Sequence, residues 1–203
     1  AGSRGRGSDL EHGRGGSHMH EAHTSTLKAE WKGHMSNQHA DRHDQFATQV
    51  RSYGVELTEA SPDEVADAIA SAIDPPAVGT PLPWDDVELP DGVETDPTPA
   101  DIEDATTGVT AASLAVADYG SIVLRMDDAG SEPVSLFGDL HVAVLREEDI
   151  VPDMEAAFEW FGEQLRETRD SAIVATGPSA TADMGSLVQG AHGPKRVEVI
   201  VVP

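Results

Sequence analysis

The carboxyl-terminal part of the chain carries the pattern that most limits the fold. Ala172-Ile173-Val174-Ala175 is typical of a buried strand, residues 179–189 suggest a helix, and Val197 to Val202 is a further apolar strand. A strand, a helix and a strand at this spacing form a βαβ unit, whose two strands lie parallel in one sheet. The sequence therefore predicts an α/β fold with a mostly parallel, mixed sheet.

Other segments predict further helices and strands of the same kind of fold. Residues 36–53 carry apolar side chains at helical spacing, and Ser61 followed by proline and acids is typical of a helix start. Residues 153–167 give the strongest helical pattern, with a continuous apolar face. Two clear strands, 120–125 and 140–145, are expected to pair as an antiparallel hairpin.

The composition is strongly acidic, with 37 Asp and Glu against 13 Lys and Arg and a formal net charge of −24. The acids are spread along the chain, and such a surface repels both nucleic acid and anionic membranes. Salt screens this self-repulsion, so the balance predicts a salt-loving, haloarchaeal source. No apolar run is long enough to cross a bilayer, and the polar amino terminus does not resemble a signal peptide, so we expect a cytoplasmic protein without membrane insertion.

Residues 1–34 differ from the remainder and are predicted to be an expression tag or a disordered tail. They are rich in glycine and histidine, and Gly16-Ser17-His18-Met19 resembles the remnant of an expression vector. A histidine-rich metal site is the functional alternative, although these histidines lack one fixed ligand spacing. The folded domain is expected over 35–203.

The first candidate binding segment follows the strand that ends near Thr176. Gly177 permits a tight turn, Ser179 and Thr181 offer hydroxyl groups, and Asp183 lies in the first turn of the expected helix. The N–H groups of that helix could hold a small anionic metabolite at the carboxyl end of the strand. The structural alternative is an ordinary capped helix start, with Asp183 answering the helix dipole.

The second candidate segment is the bend Gly190-Ala191-His192-Gly193-Pro194. His192 could donate a proton or bind a carboxylate, or it could bond to backbone at a helix end. Lys195 and Arg196 are either a substrate-facing patch or a balance to nearby acids. We expect the Gly177 turn and the Gly193 bend to form one polar pocket.

His141 is a third candidate, at the start of a predicted strand after a glycine-containing turn. It could face a cleft or be a hydrogen-bonded buried histidine. The phosphate-binding, dinucleotide-binding, nucleophile-elbow and metalloprotease motifs are all missing from the chain. The chain also has no cysteine, which excludes disulfides and thiolate-bound metal within it.

Five segments, taken together, have a distinctive order and spacing. They are Gly108-Val109-Thr110, Ala115 to Leu124, Ser135-Leu136 with His141 to Val144, Gly177 to Asp183, and Gly190 to Pro194. In these segments the chain resembles the LUD family, of the LutC/YkgG type, and the resemblance runs from about residue 36 to the end. Thr110 and Ser121 lie in these segments and join the candidate ligand-binding residues Gly177, Ser179, Thr181, Asp183, His192, Gly193 and His141. The chain departs from the family pattern at Ala180, where a basic residue is usual, and at Gly185, Gly138 and Asp118-Tyr119.

The resemblance implies a three-layer α/β/α sandwich similar to the NagB/RpiA/CoA-transferase group. It also implies work beside LutA-like and LutB-like subunits that oxidise lactate to pyruvate. This chain would then carry no cofactor, and the iron–sulfur clusters would belong to those partners. The alternatives are a stand-alone binder or enzyme for an acyl-CoA or sugar phosphate, on fold analogy alone, and a scaffold subunit without chemistry of its own.

Overall fold

The computed structural model of the protein describes residues 40–168, 170–182 and 185–203. The predicted tail and Asp183 lie outside these residues. The helices are α1 (40–52), α2 (Val65–Ala72), α3 (Pro99–Asp104), α4 (Ser131–Phe137) and α5 (Met154–Thr168). The strands are β1 (Glu56–Glu59), β2 (Ala77–Gly79), β3 (Val93–Glu94), β4 (Thr107–Ala112), β5 (Leu114–Val116), β6 (Ser121–Arg125), β7 (Leu140–Arg146), β8 (Ile150–Val151), β9 (Ala172–Thr176), β10 (Ala180–Thr181), β11 (Val188–Gln189) and β12 (Arg196–Val202).

A six-stranded sheet lies at the centre of the fold, in the order β1-β12-β7-β4-β2-β3. Every neighbouring pair in it is parallel. The middle strands β12, β7 and β4 are buried along almost their whole length because both faces of a parallel sheet are covered. The predicted α/β fold with a mostly parallel sheet is confirmed.

A second sheet, in the order β8-β5-β6-β9, packs against one face of the central sheet. Apolar side chains of both sheets and of α1 share one cluster, which includes Phe46, Ile122, Leu145 and Val199. Helix α5 covers the outer face of the second sheet, and α2 covers the opposite face of the central sheet. The molecule therefore has helices outside and two β layers inside, and the second β layer was not predicted.

Three of the four predicted helices, α1, α2 and α5, are present. Helix α1 buries Phe46 and Val50, as the spacing of its apolar residues indicated. Ser61 and Glu64 form a capping box that opens a short 3-10 turn leading into α2. Asp153 accepts a hydrogen bond from the N–H of Ala156 at the start of α5, at 2.9 Å.

The hairpin predicted between 120–125 and 140–145 is wrong. These segments are β6 and β7, which belong to different sheets, and α4 lies between them in the chain. Both carboxylate oxygens of Asp127 accept hydrogen bonds from Ser131, one from its N–H at 3.0 Å and one from its hydroxyl at 2.6 Å. These bonds hold the first turn of α4, and apolar alternation alone does not specify which strands pair.

The helix predicted over 179–189 is also wrong. The described part of this segment contains the short antiparallel pair β10–β11 instead, and β9 and β12 lie in different sheets, so they form no βαβ unit. Gly185 has a φ of +80°, and Leu187 is 71% exposed. A helix here would have no apolar face to bury, and tertiary packing supplies most of a helix's stability. Strand β9, expected to be buried, is half exposed at the edge of its sheet.

Helix α4 packs directly on β4 at Gly108. A Cβ on Gly108 would overlap the carbonyl oxygen of Val134, whereas one on Gly162 of α5 would meet nothing within 4 Å. We expect Gly108→Ala to lower the free energy of unfolding by about 1–3 kcal/mol through overpacking. The control Gly162→Ala should raise it by about 0.5–1 kcal/mol through helix propensity. Urea unfolding of both variants tests this, and equal midpoints would contradict the close packing of α4.

Candidate functional site

A cavity of about 530 Å³ lies between the two sheets. Its apolar wall comes from β6, β9 and β12 and consists of Ile122, Leu124, Ile173, Ala175, Val197 and Val199. Its polar lining residues are Ser135, His141, Thr176, Ser179 and His192. The cavity volume is in the range of ordinary small-molecule sites, which pair apolar walls with a few polar groups.

The two predicted bends meet at this cavity. The N–H of Ser179 donates to the carbonyl of Pro194 at 2.9 Å, and the N–H of Gly190 donates to the carbonyl of Ser179 at 2.9 Å. A Cβ on Gly193 would lie 3.2 Å from the Cβ of Ser179, so the bends touch closely at that point. Their proximity agrees with the sequence hypothesis, while ligand binding by them stays a prediction.

His141 lies at the start of β7, on the side of the central sheet that faces the second sheet. Alternation along β7 puts it on the same side as Ala143 and Leu145, which belong to the cluster between the sheets. Its ring is 2% exposed, and Nε2 lies 2.9 Å from the Thr110 hydroxyl. The residue is therefore both hydrogen-bonded and part of the cavity wall, which combines the two sequence alternatives.

Burial determines the protonation state of His141. Loss of solvation lowers the pKa of its imidazole from 6.5 to about 4. The ring is therefore uncharged at neutral pH, with one donor and one acceptor nitrogen. With Nε2 beside Thr110, Nδ1 is the ring atom that can serve a ligand.

Ser121 and Thr176 connect β6 with β9 at the edge of the cavity. They are opposite each other in the antiparallel pairing, and their hydroxyl oxygens lie 2.7 Å apart. Thr176 lines the cavity, whereas Ser121 is 1% exposed. Ser121 is therefore not itself part of the described lining, and its hydroxyl group contacts a residue that is.

Other predicted residues have different placements. Thr181 is on β10, just beyond the lining segment 176–180, and Asp183 lies outside the described residues. None of the described residues after Gly177 is helical, so the expected anion site on helical N–H groups loses its basis. Lys195 pairs with Asp139 at 2.8 Å.

Several residues of the site were missed by sequence reasoning. Ser135 and Leu136 of α4 line the cavity, and their place in a resembling segment was the available signal. Tyr53, which directly follows α1, also lines it, but nothing in the local sequence connects this tyrosine with residues far along the chain. Gly177 has a φ of +66°, and a Cβ there would lie 2.9 Å from the Cβ of Tyr53, so only glycine fits.

The described residues give the site no charged lining and no evident metal centre. None of the described residues that line the cavity is Lys, Arg, Asp or Glu. Within the ranges that the structure describes, no three His, Asp or Glu side chains are grouped as metal ligands would be. None of the described helices has the length and apolar character that a bilayer span requires.

The fold and this cavity define an α/β domain, and this domain matches a known protein family. A family model described as "LUD domain" matches residues 92–202, more than half of the chain. The chain belongs to the LUD-domain family, and the resemblance noted from the sequence is confirmed.

Two relatives that are similar in sequence are named lactate utilization proteins. The chain is 34% identical over 168 residues to "Lactate utilization protein C" of Deinococcus radiodurans, with 78% of each chain covered. It is 26% identical over 165 residues to the protein of the same name from Macrococcus caseolyticus, covering 72% of this chain and 71% of the relative. A crystal structure of a DUF162 family protein from Deinococcus radiodurans has a TM-score of 0.64 and 27% identity, covering 81% of this chain and 98% of that one.

The buried His141 predicts a specific dependence of stability on pH. The unfolded histidine takes up a proton near pH 6.5 and the folded one only near pH 4, so acid favours the unfolded state. As the pH falls from 6.5 to 4, the wild type should lose about 3 kcal/mol relative to His141→Gln. Urea unfolding of both proteins across this range measures the difference. Between pH 7 and 8, above both pKa values, the difference should stay constant. A constant difference down to pH 4 would show that the ring is not buried neutral.

Proposed function

We propose that this chain is a LutC-like subunit of an iron–sulfur lactate-oxidising system and contributes a ligand site to it. One observation carries the proposal: residues of four separate similar segments line one cavity. They are Ile122 and Leu124, Ser135 and His141, Gly177 to Ala180, and His192 to Pro194. If each segment only ended a helix or started a strand, their meeting at one cavity would not be expected. A shared ligand site explains why they meet.

The division of labour follows from the residues that the chain offers. It has no cysteine, so cluster ligation is assigned to LutA-like and LutB-like partners in the cytoplasm. The cavity groups are hydroxyls, the neutral imidazole of His141, the imidazole of His192 and backbone of the two bends. Such groups bind and orient a metabolite, and we assign this subunit ligand binding. A small anionic metabolite is the ligand that the sequence favours.

The other two functions have less support. A stand-alone enzyme of acyl-CoA or sugar phosphate would need groups for the phosphates, and the described lining holds no Lys or Arg. A scaffold without chemistry has no need of a cavity of about 530 Å³ with polar groups in its lining.

Genetic complementation tests the role in lactate oxidation. We expect deletion of the gene to abolish growth on lactate and the wild-type chain to restore it. A double variant, Ser179→Ala with His192→Ala, should restore growth poorly because it removes two polar groups of the cavity. Full growth of the deletion strain would overturn the proposal, and full rescue by the double variant would favour the scaffold. Association with cysteine-rich subunits in a pull-down at high salt is the second expected result.

We further propose that the acidic surface is an adaptation to high salt, as in a haloarchaeal protein. Glu155, Glu159 and Glu163 are exposed on α5 at intervals of four residues, so each repels the next. Such repulsion between exposed charges is screened by concentrated salt.

Glu159→Gln removes both of these repulsive pairs. In dilute buffer it should raise the free energy of unfolding by about 0.5–1 kcal/mol. In molar KCl this gain should disappear while the wild type itself becomes more stable. Urea unfolding at both salt concentrations measures the two effects. A wild type whose stability does not rise with KCl would contradict salt adaptation.

A further inference from the structure

We propose that the cavity takes an uncharged, largely apolar molecule with one hydrogen-bonding end, in place of a small carboxylate such as lactate. This inference rests on the proposed ligand site and specifies its chemistry. It changes the expected ligand from a small anion to a neutral compound with an apolar body.

The apolar body is indicated by the two facing walls of the cavity. Ile122 and Leu124 of β6 and Ile173 and Ala175 of β9 form one wall, and Val197 with its β12 neighbours forms the other. A ligand between these walls would remove hydrocarbon from water on both of its sides, which favours apolar groups. A molecule as small as lactate would leave most of a cavity of about 530 Å³ unfilled.

The described lining has no Lys or Arg to neutralise a charged ligand, which indicates that the ligand is uncharged. Its basic side chains are the imidazoles of His141, which is neutral at neutral pH, and His192. The nearest basic residues along the chain, Lys195 and Arg196, are paired with Asp139 and Asp74. A buried carboxylate without a cation is costly, and the formal charge of −24 opposes an anion further.

The polar end is indicated by the grouping of hydrogen-bonding groups at one side. In the central sheet His141 pairs with Val197, next to the strand start that follows the Pro194 bend. The Ser179 hydroxyl belongs to the bend that is hydrogen-bonded to Pro194. The neutral imidazole and this hydroxyl can together hold a carbonyl or hydroxyl group of the ligand.

Fluorescence titration with Nile red, an uncharged apolar dye, tests the inference on the full chain in concentrated KCl. We expect saturable binding with a blue-shifted emission. Ala175→Phe fills the cavity from β9 and should weaken binding by about tenfold or more. The matched control is Val174→Phe on the same strand, because Val174 alternates to the other side of the sheet and is 42% exposed. It should bind the dye as the wild type does.

Competition completes the test. Lactate and pyruvate at millimolar concentrations should leave the bound dye in place, whereas an uncharged apolar ketone should displace it. If Ala175→Phe does not give a cooperative melting transition, Ala175→Leu takes its place as a smaller filling variant.

Three outcomes would overturn the inference. They are displacement of the dye by lactate or pyruvate, equal dye affinity in the two phenylalanine variants, and no saturable dye binding. Lactate or pyruvate binding that Ala175→Phe abolishes would overturn the neutral ligand and retain the proposed site. Growth on lactate is measured in a separate experiment. If the neutral ligand is overturned, the proposed role in lactate oxidation is therefore still tested independently.

Discussion

Apolar packing between the six-stranded and four-stranded sheets is the interaction on which the fold and the cavity both depend. Along β7, Leu145 and Ala143 lie in the core between the two sheets. The next residue toward the start of β7 that points to the same side is His141, which is polar. His141 lines the cavity, whereas Ala143 and Leu145 are not among its lining residues. The cavity therefore lies at one end of the core, and the strands that form its apolar walls also contribute side chains to that core.

The same burial that stabilises the core determines what the site can do. An imidazole removed from water loses its charge, so His141 offers hydrogen bonds and no countercharge. Thr110 fixes the ring through Nε2, and the bend at Ser179 adds a hydroxyl group. Such a site recognises shape and hydrogen-bonding groups, while the electron-transfer chemistry of the proposed system would be located in its partners.

The charge of the molecule is distributed in a complementary way. Acids cover the surface, including the row of glutamates on α5, while the described cavity lining holds no Asp, Glu, Lys or Arg. The surface potential repels anions from the molecule, and salt weakens that repulsion without reaching the interior. A carboxylate ligand would be repelled by the acidic surface and would find no Lys or Arg in the described lining. A neutral ligand meets neither obstacle.

The sequence by itself determined the fold class, the starts of α2 and α5 and the strands β6, β7, β9 and β12, because apolar period and capping residues act locally. It also indicated the two glycine bends and His141, since glycine and histidine stand out in an acidic, apolar pattern. Strand partners were decided by tertiary packing: β6 and β7 joined different sheets, and the segment after Gly177 formed a short β pair because no apolar surface was there for a helix to cover. Only the folded chain brings Tyr53 to Gly177, since contacts between residues so far apart depend on how the layers stack.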